Sequence, residues 1–66
     1  MAQTRRERVR EATIQEIKQT ALEQIAREGA ASLSLRGIAT AMGMTAPALY
    51  RYFDSRDDLV TALIVD

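Results

Sequence analysis

Apolar residues recur at helical spacing in the first half of the chain, beginning at Ile14. Such a stripe predicts an amphipathic first helix over about residues 13–28 that ends at Gly29. Its predicted buried residues are Ile14, Ile17, Ala21, Leu22 and Ile25. The start of this helix stays open, because residues 13–16 and residues 4–7 both have the form of a capping box.

A second apolar stripe follows Ser34 and stops at a glycine. Ser34 is the expected N-cap of a short helix, with Leu33 and Ile38 as a hydrophobic staple. Gly43 is expected to end that helix, because glycine adopts the left-handed conformation without steric cost. The chain should turn sharply there and direct Met44 back into the core. The predicted inward face consists of Leu35, Ile38, Ala39 and Met42.

A third helix is expected directly after this turn, over residues 46–53. Thr45 is its predicted N-cap, and Pro47 falls in the first turn, where a missing N–H costs nothing. Leu49 and Phe53 lie four residues apart and form its inward face. Two short helices joined by a glycine turn make a helix-turn-helix. The outward face of the second one suits a DNA groove, and it consists of Ala46, Pro47, Ala48, Tyr50 and Arg51.

The last predicted helix begins at Ser55, which forms a capping-box pair with Asp58. Its apolar pattern is still running at residue 66, with no glycine or proline to end it, so we expect the natural chain to be longer. Its expected buried residues are Leu59, Leu63 and one of Val60 and Ile64.

These elements predict a small all-α domain with a helix-turn-helix, made of three helices and the start of a fourth. We divide the chain into residues 1–12, a basic N-terminal arm or helix extension, and residues 13–66, the helix-turn-helix domain. A chain of 66 residues buries only about 60% of the surface that it exposes when unfolded, so one small core is the most that it can form. Only Tyr50, Tyr52 and Phe53 are aromatic, which favours an aliphatic helical core.

Composition excludes several kinds of chemistry. The chain has no cysteine and no histidine, which removes disulfides, thiolate nucleophiles, imidazole bases and the usual zinc sites. We therefore expect neither an enzyme nor a bound metal or cofactor. No segment approaches the ~20 consecutive apolar residues of a membrane span, and the N-terminus is charged where a signal peptide would be apolar. We expect a soluble cytoplasmic protein with no membrane partner.

The 9 basic and 9 acidic residues cancel overall, but they are unevenly distributed. Residues 1–10 contain four arginines and one glutamate, and residues 29–56 contain three arginines and one aspartate. The other acids lie mainly on the first predicted helix and after the helix-turn-helix. Because a phosphate responds to charges within a Debye length of ~8–10 Å, the helix-turn-helix surface can be positive on a neutral chain.

The segment over residues 34–56 carries a family pattern. Its second half contains, in order, Leu49, Tyr50, Phe53, Ser55 and Arg56. With the preceding run SLSLRGIATAMG, this pattern closely resembles the DNA-binding domain of TetR-family transcriptional repressors over about residues 14–64. The resemblance implies sequence-specific binding of a ligand-responsive repressor to a near-palindromic double-stranded DNA operator. It also implies a further helical domain, absent from this chain, that binds a small-molecule effector and forms a homodimer, in a protein associated with the nucleoid.

The resemblance also implies phosphate contacts from Tyr50, Tyr52 and Arg56. Packing at the edge of the core is the alternative role for the two tyrosines. Thr45 is expected to cap its helix and to contact a phosphate at the same time, since the two roles are compatible.

The tip of the third helix is expected to read DNA through close approach. Ala46, Pro47 and Ala48 carry no side chain that can hydrogen-bond a base, but their methyl and ring carbons can touch thymine methyl groups. Many relatives have a lysine and a glycine in place of Ala46 and Pro47, so one phosphate contact is expected to be missing. Arg36 is then the best-placed side chain for a guanine, with a solvated surface arginine as the alternative.

The arginines of residues 5–10 allow three interpretations: a disordered arm that reaches DNA, an extension of the first helix along phosphates, or a solvated tail. Two other functions also remain open on the residues alone. One is a helix-turn-helix domain of another family, and the other is a small helical protein-interaction module, which would lack salt-dependent DNA binding.

Overall fold

Four α-helices and one 3₁₀ turn make up the computed structural model, which describes residues 3–65. The described residues contain no strand, which confirms the all-α prediction. In chain order the elements are α1 (Arg5–Glu28), the 3₁₀ turn (Ala30–Ser32), α2 (Leu35–Ala41), α3 (Ala46–Tyr50) and α4 (Arg56–Val65). The length of α1 accounts for an elongated outline of 39 × 25 × 19 Å.

Helix α1 begins at the earlier of its two predicted starts. The Thr4 hydroxyl oxygen accepts the Glu7 N–H over 3.1 Å and donates to the Glu7 carboxylate over 3.0 Å. Thr13 is no cap, because its hydroxyl donates to the Val9 carbonyl one turn earlier, inside a continuous helix. Residues 5–10 are therefore helical, and the interpretation of this segment as a disordered arm is wrong.

The core lies where α1 crosses the helix-turn-helix. Its buried residues are Ile17, Ala21, Leu33, Leu35, Ile38, Ala39, Leu49, Phe53 and Leu59. Of the predicted α1 stripe, Ile14 and Ile25 are half-buried at its ends. The prediction that Leu22 is buried is wrong, because 50% of this side chain is exposed. The buried face of α1 instead includes Lys18, which is only 8% exposed and lies one turn before Leu22.

The junction between α1 and α2 is made by polar groups. Ser34 caps α2 as predicted, since its hydroxyl oxygen accepts the Gly37 N–H over 3.1 Å. The Ser34 N–H donates to the side-chain carbonyl of Gln24 in α1 over 3.0 Å. This bond fixes the start of α2 against α1.

Helix α4 begins one residue later than predicted, at Arg56, and the Ser55 hydroxyl oxygen accepts the Asp58 N–H over 3.2 Å. Leu59 is fully buried, and Val60 and Leu63 are half-buried against the core. Ile64 is 78% exposed, so Val60 is the residue that joins the other two. Across residues 3–65, no helix is long and apolar enough to span a bilayer.

Candidate nucleic-acid interface

The turn between α2 and α3 is a Schellman motif. The Met44 N–H donates to the Ala39 carbonyl over 2.7 Å, and the Gly43 N–H donates to the Thr40 carbonyl over 3.1 Å. Gly43 has the positive φ of 71° that this motif requires at the first residue past the cap. Met44 is half-buried against the core, as predicted. The direction of α3 relative to α2 is thus fixed by two backbone hydrogen bonds.

Helix α3 starts at the predicted cap. The Thr45 hydroxyl oxygen accepts the Ala48 N–H over 3.3 Å, which leaves the hydroxyl proton able to donate outward. Pro47 is exposed, whereas Ala46 and Ala48 are half-buried. The structure therefore brings these residues together at one small-residue tip, with Pro47 as its most accessible member.

Helix α3 ends at Tyr50, before the predicted end at residue 53. The Tyr52 N–H donates to the Leu49 carbonyl over 2.9 Å, an i to i−3 bond that tightens the last turn. The Phe53 N–H reaches the same carbonyl over 3.2 Å. The chain thus keeps turning far enough to bury both Leu49 and Phe53, the predicted inward pair.

The two tyrosines of this segment have different surroundings. Tyr50 is 46% exposed on the outward face of α3. Tyr52 is half-buried against the core, and the guanidinium carbon of Arg10 lies 5.0 Å from its ring centroid. That distance is within the range of a cation–π interaction. Tyr52 therefore connects the end of the helix-turn-helix to the first turns of α1.

Arg36 and Arg56 also differ. Arg36 is exposed in the first turn of α2, where its backbone carbonyl accepts the Thr40 hydroxyl. The Arg56 guanidinium instead donates to protein carbonyls, from Nε to Leu33 over 3.1 Å and from a terminal nitrogen to Ala30 over 2.8 Å. Since a guanidinium has five N–H groups, three remain for another acceptor. Arg56 thus holds the loop before α2 in addition to any contact with phosphate.

Two relationships at this surface have no counterpart in the sequence pattern. The stack of Arg10 on Tyr52 joins residues 42 positions apart, and no spacing rule connects them. The hydrogen bond from the Ser34 N–H to Gln24 cannot be predicted from the sequence either, because a glutamine within a helix is ordinary. Within residues 3–65, no group of three His, Cys, Asp or Glu side chains is placed to hold a metal ion.

Comparison with known proteins identifies relatives. The model of a family described as bacterial regulatory proteins, tetR family, matches residues 17–63. The HTH-type transcriptional regulators Rv1816 of Mycobacterium tuberculosis (strain ATCC 25618 / H37Rv) and Mb1846 of Mycobacterium bovis are each 56% identical to the chain over 43 residues, which is 65% of this chain. A crystal structure of a protein described as regulatory, SCO4313, is similar with a TM-score of 0.85 at 61% identity and covers 92% of this chain.

These relatives are much longer than the chain. The matched segment spans 18% of the two mycobacterial regulators and 30% of the chain of SCO4313. The similarity therefore applies to the helix-turn-helix unit and not to the rest of those proteins.

Proposed function

Since the chain belongs to the TetR family of bacterial regulatory proteins and forms its helix-turn-helix domain, we propose that α3 enters the major groove of a DNA operator. In this proposal α1, α2 and α4 hold α3 at a fixed angle, and the loop and helix ends around α3 contact the phosphates on either side. The function is one of binding, and it involves no catalytic step.

The observation that carries this proposal is the division of α3 into two faces. Leu49 is fully buried, while the adjacent Tyr50 is 46% exposed, and Pro47 is exposed one turn earlier. Leu49 packs the inner face of α3 into the core. The turn at Gly43 fixes the start of the helix. The helix thus presents a small-residue tip followed by a phenol, and this shape allows close approach to a groove floor.

The proposed roles divide into positioning and reading. Phosphates are held by the hydroxyl groups of Thr45, Tyr50 and Tyr52. They are also held by the N–H groups of Arg56 that do not donate to the Leu33 and Ala30 carbonyls. Ala46, Pro47 and Ala48 touch thymine methyl groups on the groove floor, and Arg36 pairs with guanine O6 and N7.

We further propose that the full protein is a ligand-responsive repressor in the cytoplasm that acts as a homodimer. A two-fold dimer would place two copies of α3 on the half-sites of a near-palindromic operator, one or more DNA turns apart. Joining two domains makes the second docking step intramolecular and can raise affinity by ~10²–10⁴ without new contacts. The dimer contacts and the effector site would lie outside the residues of this chain.

The test starts from selection of a binding duplex from a random-sequence pool with the full natural chain. Fluorescence anisotropy then gives the affinity for that duplex and for an unrelated one over a range of salt concentrations. We expect the logarithm of the association constant to fall linearly with the logarithm of salt, by about 0.9 for each phosphate contact. Failure to enrich any duplex, or an association constant that does not change with salt concentration, would favour a protein-interaction module instead.

A further inference from the structure

An open groove of about 550 Å³ lies between the start of α1 and the end of the helix-turn-helix. It is lined by Arg5, Arg6, Val9, Arg10 and Tyr52. Four of these residues come from the first six positions of α1, and the fifth comes from the segment just after α3. The groove therefore adjoins the surface proposed to bind the operator.

Its lining has an apolar floor and a basic rim. Val9 is 58% exposed, and it lines the groove together with Tyr52. The Arg10 guanidinium carbon stands 5.0 Å from the centroid of that ring, so the stack holds one cation at the edge of the floor. Among residues 3–65, no carboxylate lines the groove.

The nearest acids along α1 have other partners. The Glu7 carboxylate accepts the Thr4 hydroxyl over 3.0 Å, and the Glu11 carboxylate accepts the side-chain amide of Gln3 over 2.6 Å. The groove thus carries three guanidinium groups of one sign next to exposed apolar surface.

We propose that this groove binds a sugar–phosphate strand of the operator outside the base pairs that α3 reads. The chemistry matches, because a DNA backbone alternates anionic phosphates with deoxyribose rings that have an apolar C–H face. Arg5, Arg6 and Arg10 take the phosphates, while Val9 and the ring of Tyr52 contact the sugar. The inference rests on the proposed function and extends the footprint of each domain beyond the major groove.

The chain supplies a matched control for this proposal. Successive residues of an α-helix are rotated by about 100°, which places Arg8 about 160° around the axis of α1 from Arg10. Arg8 is exposed and does not line the groove. Arg8→Ala and Arg10→Ala therefore remove the same charge from the same helical turns, and only one of them alters the groove.

Both variants of the full natural chain are titrated with two duplexes derived from the selected sequence. The long duplex has about 40 base pairs, enough for two half-sites one turn apart and flanks on each side. The short one ends at the outer edges of the half-sites. Circular dichroism melting curves check that exposed substitutions on α1 leave the fold unchanged.

On the long duplex, Arg10→Ala is expected to weaken binding roughly four- to eightfold at 0.1–0.2 M salt, the size of one counterion-release contact, and to lower the salt slope by about 0.9. Arg8→Ala should weaken it less than about twofold, because only a screened charge effect remains. On the short duplex the difference between the two variants should disappear.

Equal losses for the two variants on the long duplex would overturn the inference and leave the proposed function intact. An Arg10→Ala deficit that is unchanged on the short duplex would overturn it in the same way. Absence of wild-type binding to every selected duplex would overturn the proposed function and this inference with it.

Discussion

The Nε of Arg56 donates to the carbonyl of Leu33 over 3.1 Å, across 23 positions of sequence. A terminal nitrogen of the same guanidinium reaches the Ala30 carbonyl over 2.8 Å, so one side chain spans the loop between α1 and α2. Leu33 is itself buried and immediately precedes the cap of α2. The start of α4 is in this way tied to the start of the helix-turn-helix.

The first prediction follows from this clamp. Arg56→Ala should lower the free energy of unfolding by about 1–2 kcal/mol, a value kept low because the side chain is largely exposed. Arg56→Lys should recover only part of it, since an ammonium lacks the planar fork that reaches two carbonyls. Chemical denaturation of the three proteins measures both effects. An unchanged free energy of unfolding in Arg56→Ala would mean that the two hydrogen bonds do not stabilise the fold and that Arg56 contributes only to phosphate binding.

The second prediction concerns Gly43, whose φ is 71° and around which an added Cβ would meet no atom within 4 Å. Backbone strain is then the only penalty, and Gly43→Val should cost about 1–3 kcal/mol. Gly43→Asn is the control, because asparagine tolerates the left-handed region, and it should stay closer to the wild type. Equal melting temperatures for the valine and asparagine variants would show that the turn does not need the left-handed conformation at residue 43.

The third prediction separates positioning from reading. Tyr50→Phe should weaken binding to the selected duplex and to unrelated duplexes by similar factors, because a phenol on a phosphate carries no sequence information. Arg36→Ala should instead relax preference at one base pair, by about 1–3 kcal/mol. Affinities for a set of single-base-pair variants of the duplex measure both. A specificity change in Tyr50→Phe, or a uniform loss in Arg36→Ala, would reverse these assignments.

The fourth prediction is a coupling between Gly37 and Gln24. A Cβ on Gly37 would come within 2.9 Å of the Gln24 side-chain nitrogen, while the carbonyl oxygen of that amide accepts the Ser34 N–H. Gly37→Ala should gain about 1 kcal/mol of helix propensity and lose a similar amount by displacing the amide, for little net change.

In a Gln24→Ala background the same substitution should stabilise the domain by about 1 kcal/mol, because no amide remains to be displaced. A double-mutant cycle on unfolding free energies measures the difference. Additive effects of the two substitutions would show that the amide moves away freely.

Local features of this domain follow closely from its sequence. The predicted caps at Ser34 and Thr45 and the predicted turn at Gly43 are all confirmed, since each depends on hydrogen bonds within about six residues. The inward pair Leu49 and Phe53 is also confirmed, because helical spacing places both on one face.

Burial on the long helix is less predictable. Leu22 is more apolar than Lys18, yet the lysine is 8% exposed and the leucine 50%. Lys18 and Leu22 lie only about 40° apart around the helix axis, and hydrophobicity alone does not fix the rotation of α1 that finely against the helix-turn-helix. The start of α1 at Arg5 also could not be chosen from the sequence, because residues 4–7 and residues 13–16 both have the form of a capping box.

What the sequence determined by itself is therefore a helix-turn-helix with its caps and its glycine turn, which are encoded in short-range spacing, together with a resemblance to its family. Only the tertiary structure placed Arg10 on Tyr52 and Arg56 on the loop at Leu33. Those contacts join residues 42 and 23 positions apart, and they exist because α1 and α4 cross the same small core. Side chains that meet in this way leave no periodic signal, since their distance in space is set by packing and not by their separation along the chain.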